Sequence, residues 1–170
     1  MLVISDTTPV ISLLKIGRLD LLRKMYGEVI IPAAVYDELT VNDVFPDEAE
    51  AVKNCGFLRR ENVKNELAVK ILSSTMGLDK GESEALVLYE DLRADLLLVD
   101  ERKARSVARK MGYTIVGTLG LLIEAKRLGH ISVLRPLLEA LMASNIRISQ
   151  SLFNEIVKLD DDPEITYVRE

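Results

Sequence analysis

Asp95-Leu96-Leu97-Leu98-Val99 is the strongest strand signal in the chain. Four consecutive aliphatic side chains with no polar alternate predict a strand covered on both faces. The acids Asp100-Glu101 follow at once. A helical pattern comes next over 101–111, with Ala104, Val107, Ala108 and Met111 at i, i+3, i+4 and i+7. The same alternation extends outward. Residues 2–5 and 28–31 are predicted strands, 113–116 a fourth, and 57–60 a further short one. Thr8 is the expected N-cap of a first helix running to Gly17, with Pro9 at N1. Further helices are expected at 18–26, 32–40, 47–54, 64–74, 82–92, 117–128, 132–142 and 149–158. A turn is expected from Asn42 to Pro46 and a loop from Gly77 to Gly81. Apolar strands alternating with helices imply an α/β fold, a three-layer α/β/α sandwich around a parallel sheet with right-handed crossovers.

Length and composition narrow the class. The 170 residues suit one domain that buries its own core. Cys55 is the one cysteine, so no intrachain disulfide can form, which fits a reducing compartment. Met1-Leu2-Val3-Ile4-Ser5-Asp6 reaches an acid at its sixth residue, and no apolar run is long enough to span a membrane. The expected compartment is the cytoplasm, with no membrane partner. Net charge is −5, which argues against charge-driven binding of nucleic acid. That charge is uneven. Residues 151–170 hold Glu155, Asp160, Asp161, Asp162, Glu164 and Glu170 against Lys158 and Arg169, so the rest of the chain is close to neutral.

Sites in open parallel sheets form beyond the carboxyl ends of the strands. Asp6 follows the first strand, Glu38 lies on the helix after the second, and Asp100 and Glu101 follow the strand at 95–99. Glu82 and Glu84 open the apolar helix at 82–92. Each acid has an ordinary explanation: Asp6 and Asp100-Glu101 as helix caps, Glu38 as a solvated helix residue, Glu82 and Glu84 as first-turn acids facing the helix dipole. Glu82 and Glu84 lie about 200° apart on the helical wheel, so one helix cannot aim both at one point. Acids gathered at one sheet edge, with no His or Cys beside them, suit Mg²⁺ or Mn²⁺ rather than Zn²⁺. Such cations activate water and stabilise both oxygens of a phosphodiester displacement. The single histidine, His130, falls in a helix-exit loop, so a Ser/His/Asp triad is not expected. Phosphate-binding glycine loops of the P-loop and dinucleotide types are absent.

The ordered set Val3-Ile4-Ser5-Asp6-Thr7-Thr8-Pro9, Val29-Ile30-Ile31-Pro32 with Val35-Tyr36-Asp37-Glu38-Leu39, Leu78-Asp79-Lys80-Gly81-Glu82-Ser83-Glu84-Ala85-Leu86 and Leu97-Leu98-Val99-Asp100-Glu101-Arg102 resembles the PIN-domain family, which includes VapC-type ribonuclease toxins. Gly117-Thr118-Leu119-Gly120 with Ala125-Lys126 is similar to a bacterial and archaeal branch of predicted PIN proteins. The resemblance runs from the first strand to about residue 158. It implies a sheet of four to five parallel strands and an acidic pocket holding Mg²⁺ or Mn²⁺. The implied activity is cleavage of single-stranded RNA, with Asp6, Glu38, Glu84 and Asp100 as metal-binding, catalytic acids. Glu82 and Glu101 stand as second choices for the third and fourth. Thr8 matches a hydroxyl residue beside the first acid, and Arg102 and Arg105 are placed to contact phosphate. A homodimer and a small antitoxin protein are the partners the resemblance implies. Rival readings are a catalytically silent module that binds RNA or protein, and a hydrolase of small phosphate esters. The expected organisation is one domain over 1–158 and an acidic tail at 159–170, in which Asp160-Asp161-Asp162 would compete with RNA for the basic helix.

Overall fold

The computed structural model describes residues 1–41 and 46–161. The turn expected from Asn42 lies outside these residues, as do Asp162, Glu164 and Glu170 of the tail. The chain divides into two compact units, Met1–Thr118 and Leu119–Glu170.

The first unit carries the sheet. Strands β1 (Val3–Ser5), β2 (Val29–Pro32), β3 (Leu58–Glu61), β4 (Leu96–Leu98) and β5 (Ile115–Val116) lie in the order β3-β2-β1-β4-β5. All pairs are parallel, and Ile4 is in register with both Ile30 and Leu97. The α/β class and the parallel sheet expected from the alternation are therefore present, with five strands. Side chains alternate across a strand, so Ile4, Ile30 and Leu97 point to one face while Val3, Val29, Ile31, Leu96 and Leu98 point to the other. Residues of both sets are buried. That is why these strands read as unbroken apolar runs instead of polar–apolar alternation. Each fully buried leucine or isoleucine contributes about 2 kcal/mol through removal from water.

The helices of this unit are α1 (Thr7–Lys15), α2 (Asp20–Tyr26), α3 (Ala33–Thr40), α4 (Pro46–Lys53), α5 (Glu66–Met76), α6 (Lys80–Asp91) and α7 (Arg102–Lys110). Helix α6 is buried from Gly81 through Leu88, a stretch that joins the apolar Ala85-Leu86-Val87-Leu88 to the polar Glu82, Ser83 and Glu84. It packs against β1, β2 and β4. Two expected boundaries are corrected. The N-cap of α1 is Asp6, not Thr8, and Pro9 falls at the third helical position. Proline is tolerated there because N–H groups of the first turn have no partner within the helix. The loop expected to reach Gly81 ends at Asp79, which caps α6 two residues earlier.

The second unit holds most of α8 (Thr118–Arg127), with α9 (Arg135–Ala143) and α10 (Gln150–Asp161). Asp160, expected in the acidic tail at 159–170, belongs to α10 and is only 9% exposed at its side chain. Among the described residues no helix is long and apolar enough to cross a membrane.

Candidate functional site

Strand β1 is the middle strand, and the Asp6 N–H extends its ladder by one bond to the Leu98 carbonyl at 2.9 Å. The Asp6 side chain is thereby set at the centre of the carboxyl edge of the sheet, and the residue is only 4% exposed. It occupies the N-cap of α1 but makes no side-chain cap bond, so capping does not account for a buried acid here. Burial pushes the Asp6 carboxyl up to about 7; the Thr7 N–H opposes this, and the Asp79, Glu82 and Glu38 carboxylates add to it.

Two elements supply those carboxylates. Glu38, exposed on α3, accepts a hydrogen bond from the buried Thr7 hydroxyl at 2.7 Å. Asp79 and Glu82 form a reciprocal capping box at the start of α6: Asp79 Oδ1 accepts from the Glu82 N–H at 2.7 Å, and Glu82 Oε2 accepts from the Asp79 N–H at 2.8 Å. The two acids are thus fixed against each other, and both act on Asp6. The Glu82 carboxyl is also raised, first by burial, then by Asp79 and Glu101, with the Asp79 N–H and Lys103 opposing. Glu101 is the N-cap residue of α7 without a side-chain cap bond, so its charge stays turned outward within reach of Glu82.

Glu84 and Asp100 are engaged otherwise. Glu84 Oε2 accepts from the Ala34 N–H at 2.9 Å, and Oε1 lies 3.7 Å from Lys80 Nζ. Helix α3 starts directly after Pro32, which cannot cap it with a side chain, so an acid 50 residues away satisfies the orphan N–H. Asp100 Oδ1 accepts from the Thr118 N–H at 2.7 Å and Oδ2 from the Thr118 hydroxyl at 2.5 Å, so it caps α8 rather than the adjacent α7. Gly117 makes this approach feasible, because a Cβ there would sit 2.6 Å from Asp100 Oδ1 and 2.8 Å from Arg105 Nη1. Gly117→Ala is therefore expected to destabilise the protein by about 1–3 kcal/mol, the range for overpacking, which urea denaturation would measure. An unchanged midpoint would show that the Asp100 side chain can move away without cost.

The basic residues divide similarly. Arg105 Nη1 donates to the Val99 carbonyl at 2.9 Å; burial and Arg109 lower its pKa, with Asp100 opposing. Lys103 Nζ donates to the Gly77 carbonyl. Arg102 is exposed at the first turn of α7, beside Glu101. Thr8, the expected hydroxyl, faces outward, whereas Thr7 is buried and bonded to Glu38.

A family model described as a PIN domain matches residues 2–162. The chain belongs to the PIN-domain family. PIN domains are in general nucleases, and they generally use divalent metals. No curated protein and no solved structure matches the chain. In this PIN domain the buried Asp6 carboxyl lies in the field of three others, Asp79, Glu82 and Glu38, and oxygen is the only donor type among them. Such donors suit a hard cation chemically, because it would offset the mutual repulsion of the carboxylates around Asp6. The donors are gathered without being closed: among the described residues no three of His, Cys, Asp and Glu stand in metal-holding geometry. Two residues of this neighbourhood were not singled out from sequence. Asp79 had a readable signal, the capping-box spacing Asp79-Lys80-Gly81-Glu82. Thr7 had none, since which of two adjacent threonines faces inward depends on where α1 begins.

Proposed function

We propose that this PIN domain is a Mg²⁺- or Mn²⁺-dependent endoribonuclease acting on single-stranded RNA, and the toxin of a toxin–antitoxin pair. The observation that carries this reading is the buried Asp6 among Glu38, Asp79 and Glu82 at the carboxyl edge of the sheet, in a chain of a nuclease family. Asp6 and Glu38 would hold the cation. From α6 the geometry favours Glu82 over Glu84, whose two oxygens already face the Ala34 N–H and the Lys80 ammonium. Asp100, whose two oxygens accept from Thr118 at the start of α8, would be the fourth acid, with Glu101 as the outward-facing alternative. When bound, the cation supplies an activated water and charge stabilisation at the scissile phosphate.

The residues of the chain do the rest. Thr7 orients Glu38, the capping box fixes Glu82, and the exposed Arg102 is available to a substrate phosphate. Arg105, with one amino group committed to Val99, would contribute its remaining donors and its charge. Thr8 would offer its exposed hydroxyl to the RNA. A homodimer, a small antitoxin partner, cytoplasmic location and a single domain over 1–158 complete the proposal.

The test is cleavage of a single-stranded RNA by the purified protein. Activity should require Mg²⁺ or Mn²⁺, vanish with a chelator, and return on adding metal. Glu82→Gln should impair it more than Glu84→Gln at matched stability. Cleavage that persists in chelator would reject the metal-dependent reading. A second reading, a silent module that binds RNA or protein, draws on the commitment of Glu84 and Asp100 to backbone N–H groups. RNA binding without cleavage at any metal concentration would favour it.

A further inference from the structure

We infer that Thr7 is a positioning residue that sets the direction in which Glu38 presents its carboxylate to a cation. The inference rests on the cation-site reading above and concerns one bond within it. Glu38 is exposed on α3, and a glutamate in that state ordinarily samples many rotamers. Its Oε2 is instead held by the Thr7 hydroxyl at 2.7 Å, from a residue 31 positions earlier that is only 6% exposed.

The donor is itself rigid. Thr7 opens α1 directly after Asp6, so its backbone is fixed by the same strand end that places Asp6. Its β-branched side chain has few rotamers in a helix. Gly81 at the start of α6 closes over it: a Cβ there would lie 3.2 Å from Val35 Cγ2 and 3.7 Å from Thr7 Oγ1. A hydroxyl donating to Oε2 leaves Oε1 as the oxygen with no hydrogen bond among the described residues, turned by a planar carboxylate whose other end is anchored. Asp6 and Thr7 are consecutive, so a single backbone segment sets one acid directly and the second through a hydroxyl. Metal-binding side chains are commonly held by such outer hydrogen bonds, and losing one weakens metal affinity or activity about 10–100-fold.

The experiment is Mn²⁺ titration of the RNA-free protein, by calorimetry and by electron paramagnetic resonance of free Mn²⁺. Wild type, Thr7→Val, Thr7→Ser, Glu38→Gln and the Thr7→Val/Glu38→Gln double variant are compared. Thr7→Val, nearly isosteric but without a donor, should weaken Mn²⁺ binding about tenfold, within the range for outer-shell losses. Thr7→Ser, which keeps the hydroxyl, should bind like wild type. In the Glu38→Gln background Thr7→Val should have no further effect, because the carboxylate it positions is gone. Unchanged Mn²⁺ affinity in Thr7→Val, or equal losses with and without Glu38, would overturn this inference alone. Absence of Mn²⁺ binding by wild type would overturn the cation-site reading beneath it. Should Thr7→Val not fold, Thr7→Ala gives the same readout.

Discussion

Asp6→Asn is expected to abolish RNA cleavage and, in the same protein, to raise stability in the absence of metal. The sign follows from burial. The folded carboxyl titrates at about 7, well above its ordinary value of 3.8. Below pH 4 Asp6 is protonated in both states and adds nothing to the balance. Between pH 4 and 7 the unfolded chain releases a proton that the folded chain keeps, so stability falls as pH rises. Above pH 7 the folded protein carries the full cost of a buried charge, up to about 4 kcal/mol. Asparagine at this position has no proton to lose. The stability gain of Asp6→Asn should therefore be near zero at pH 4 and largest at pH 8. Urea denaturation in chelator at both pH values measures it. Added Mn²⁺ should stabilise wild type by mass action and leave Asp6→Asn nearly unaffected. A wild-type protein whose stability is flat from pH 4 to 8, and equal to that of the variant, would show that Asp6 is solvated and no cation site.

The second large effect lies in the other unit. Asp160→Ala should cost about 2–4 kcal/mol at neutral pH, the sum of a lost helix cap and a lost charged hydrogen bond. Helix α9 cannot cap itself, because its N-cap residue is Leu134. Asp160 serves instead: Oδ1 accepts from the Leu134 N–H and Lys126 Nζ, both at 2.7 Å, and Oδ2 from the Arg135 N–H at 2.9 Å. Burial alone would raise the Asp160 carboxyl, but the Lys126 ammonium and the two N–H groups outweigh it and hold the pKa below its ordinary value. A lowered pKa stabilises the fold above the unfolded value, and the benefit is lost as pH falls through the folded one. The destabilisation should therefore persist from pH 7 down to about 4 and fade below it. Asp160→Asn, which keeps one acceptor oxygen, should fall between wild type and alanine. Equal urea midpoints for wild type and Asp160→Ala at pH 7 would refute the cap. A truncation probing the acidic tail should accordingly begin after Asp161, since removing Asp160 confounds tail charge with the loss of this cap.

Asp160, Asp100 and Glu84 share one physical lesson. Each is an acid near a helix start that belongs to a different part of the chain. An apolar neighbourhood shows that a carboxylate is buried and therefore needs a partner. It does not show whether that partner is a cation or the first N–H groups of a distant helix, because both meet the same electrostatic need. Reading outward from Leu96-Leu97-Leu98, sequence could place Asp6, Glu38 and the α6 acids at the carboxyl edge of a parallel sheet. Periodicity could not choose between Glu82 and Glu84, which differ by two positions in a turn of α6 that is buried all round.

The sequence by itself determined the architecture: unbroken apolar inner strands, helices between them, and acids after the strands, since burial on both faces leaves its mark in every residue of β1, β2 and β4. Tertiary structure alone decided how the acids are used. Glu84 meets Ala34 across 50 residues and Thr7 meets Glu38 across 31. Such pairings depend on where helices begin and which strand ends lie side by side. A difference of one residue in a helix start exchanges Thr7 for Thr8, and two positions along α6 exchange a carboxylate beside Asp6 for one that caps α3.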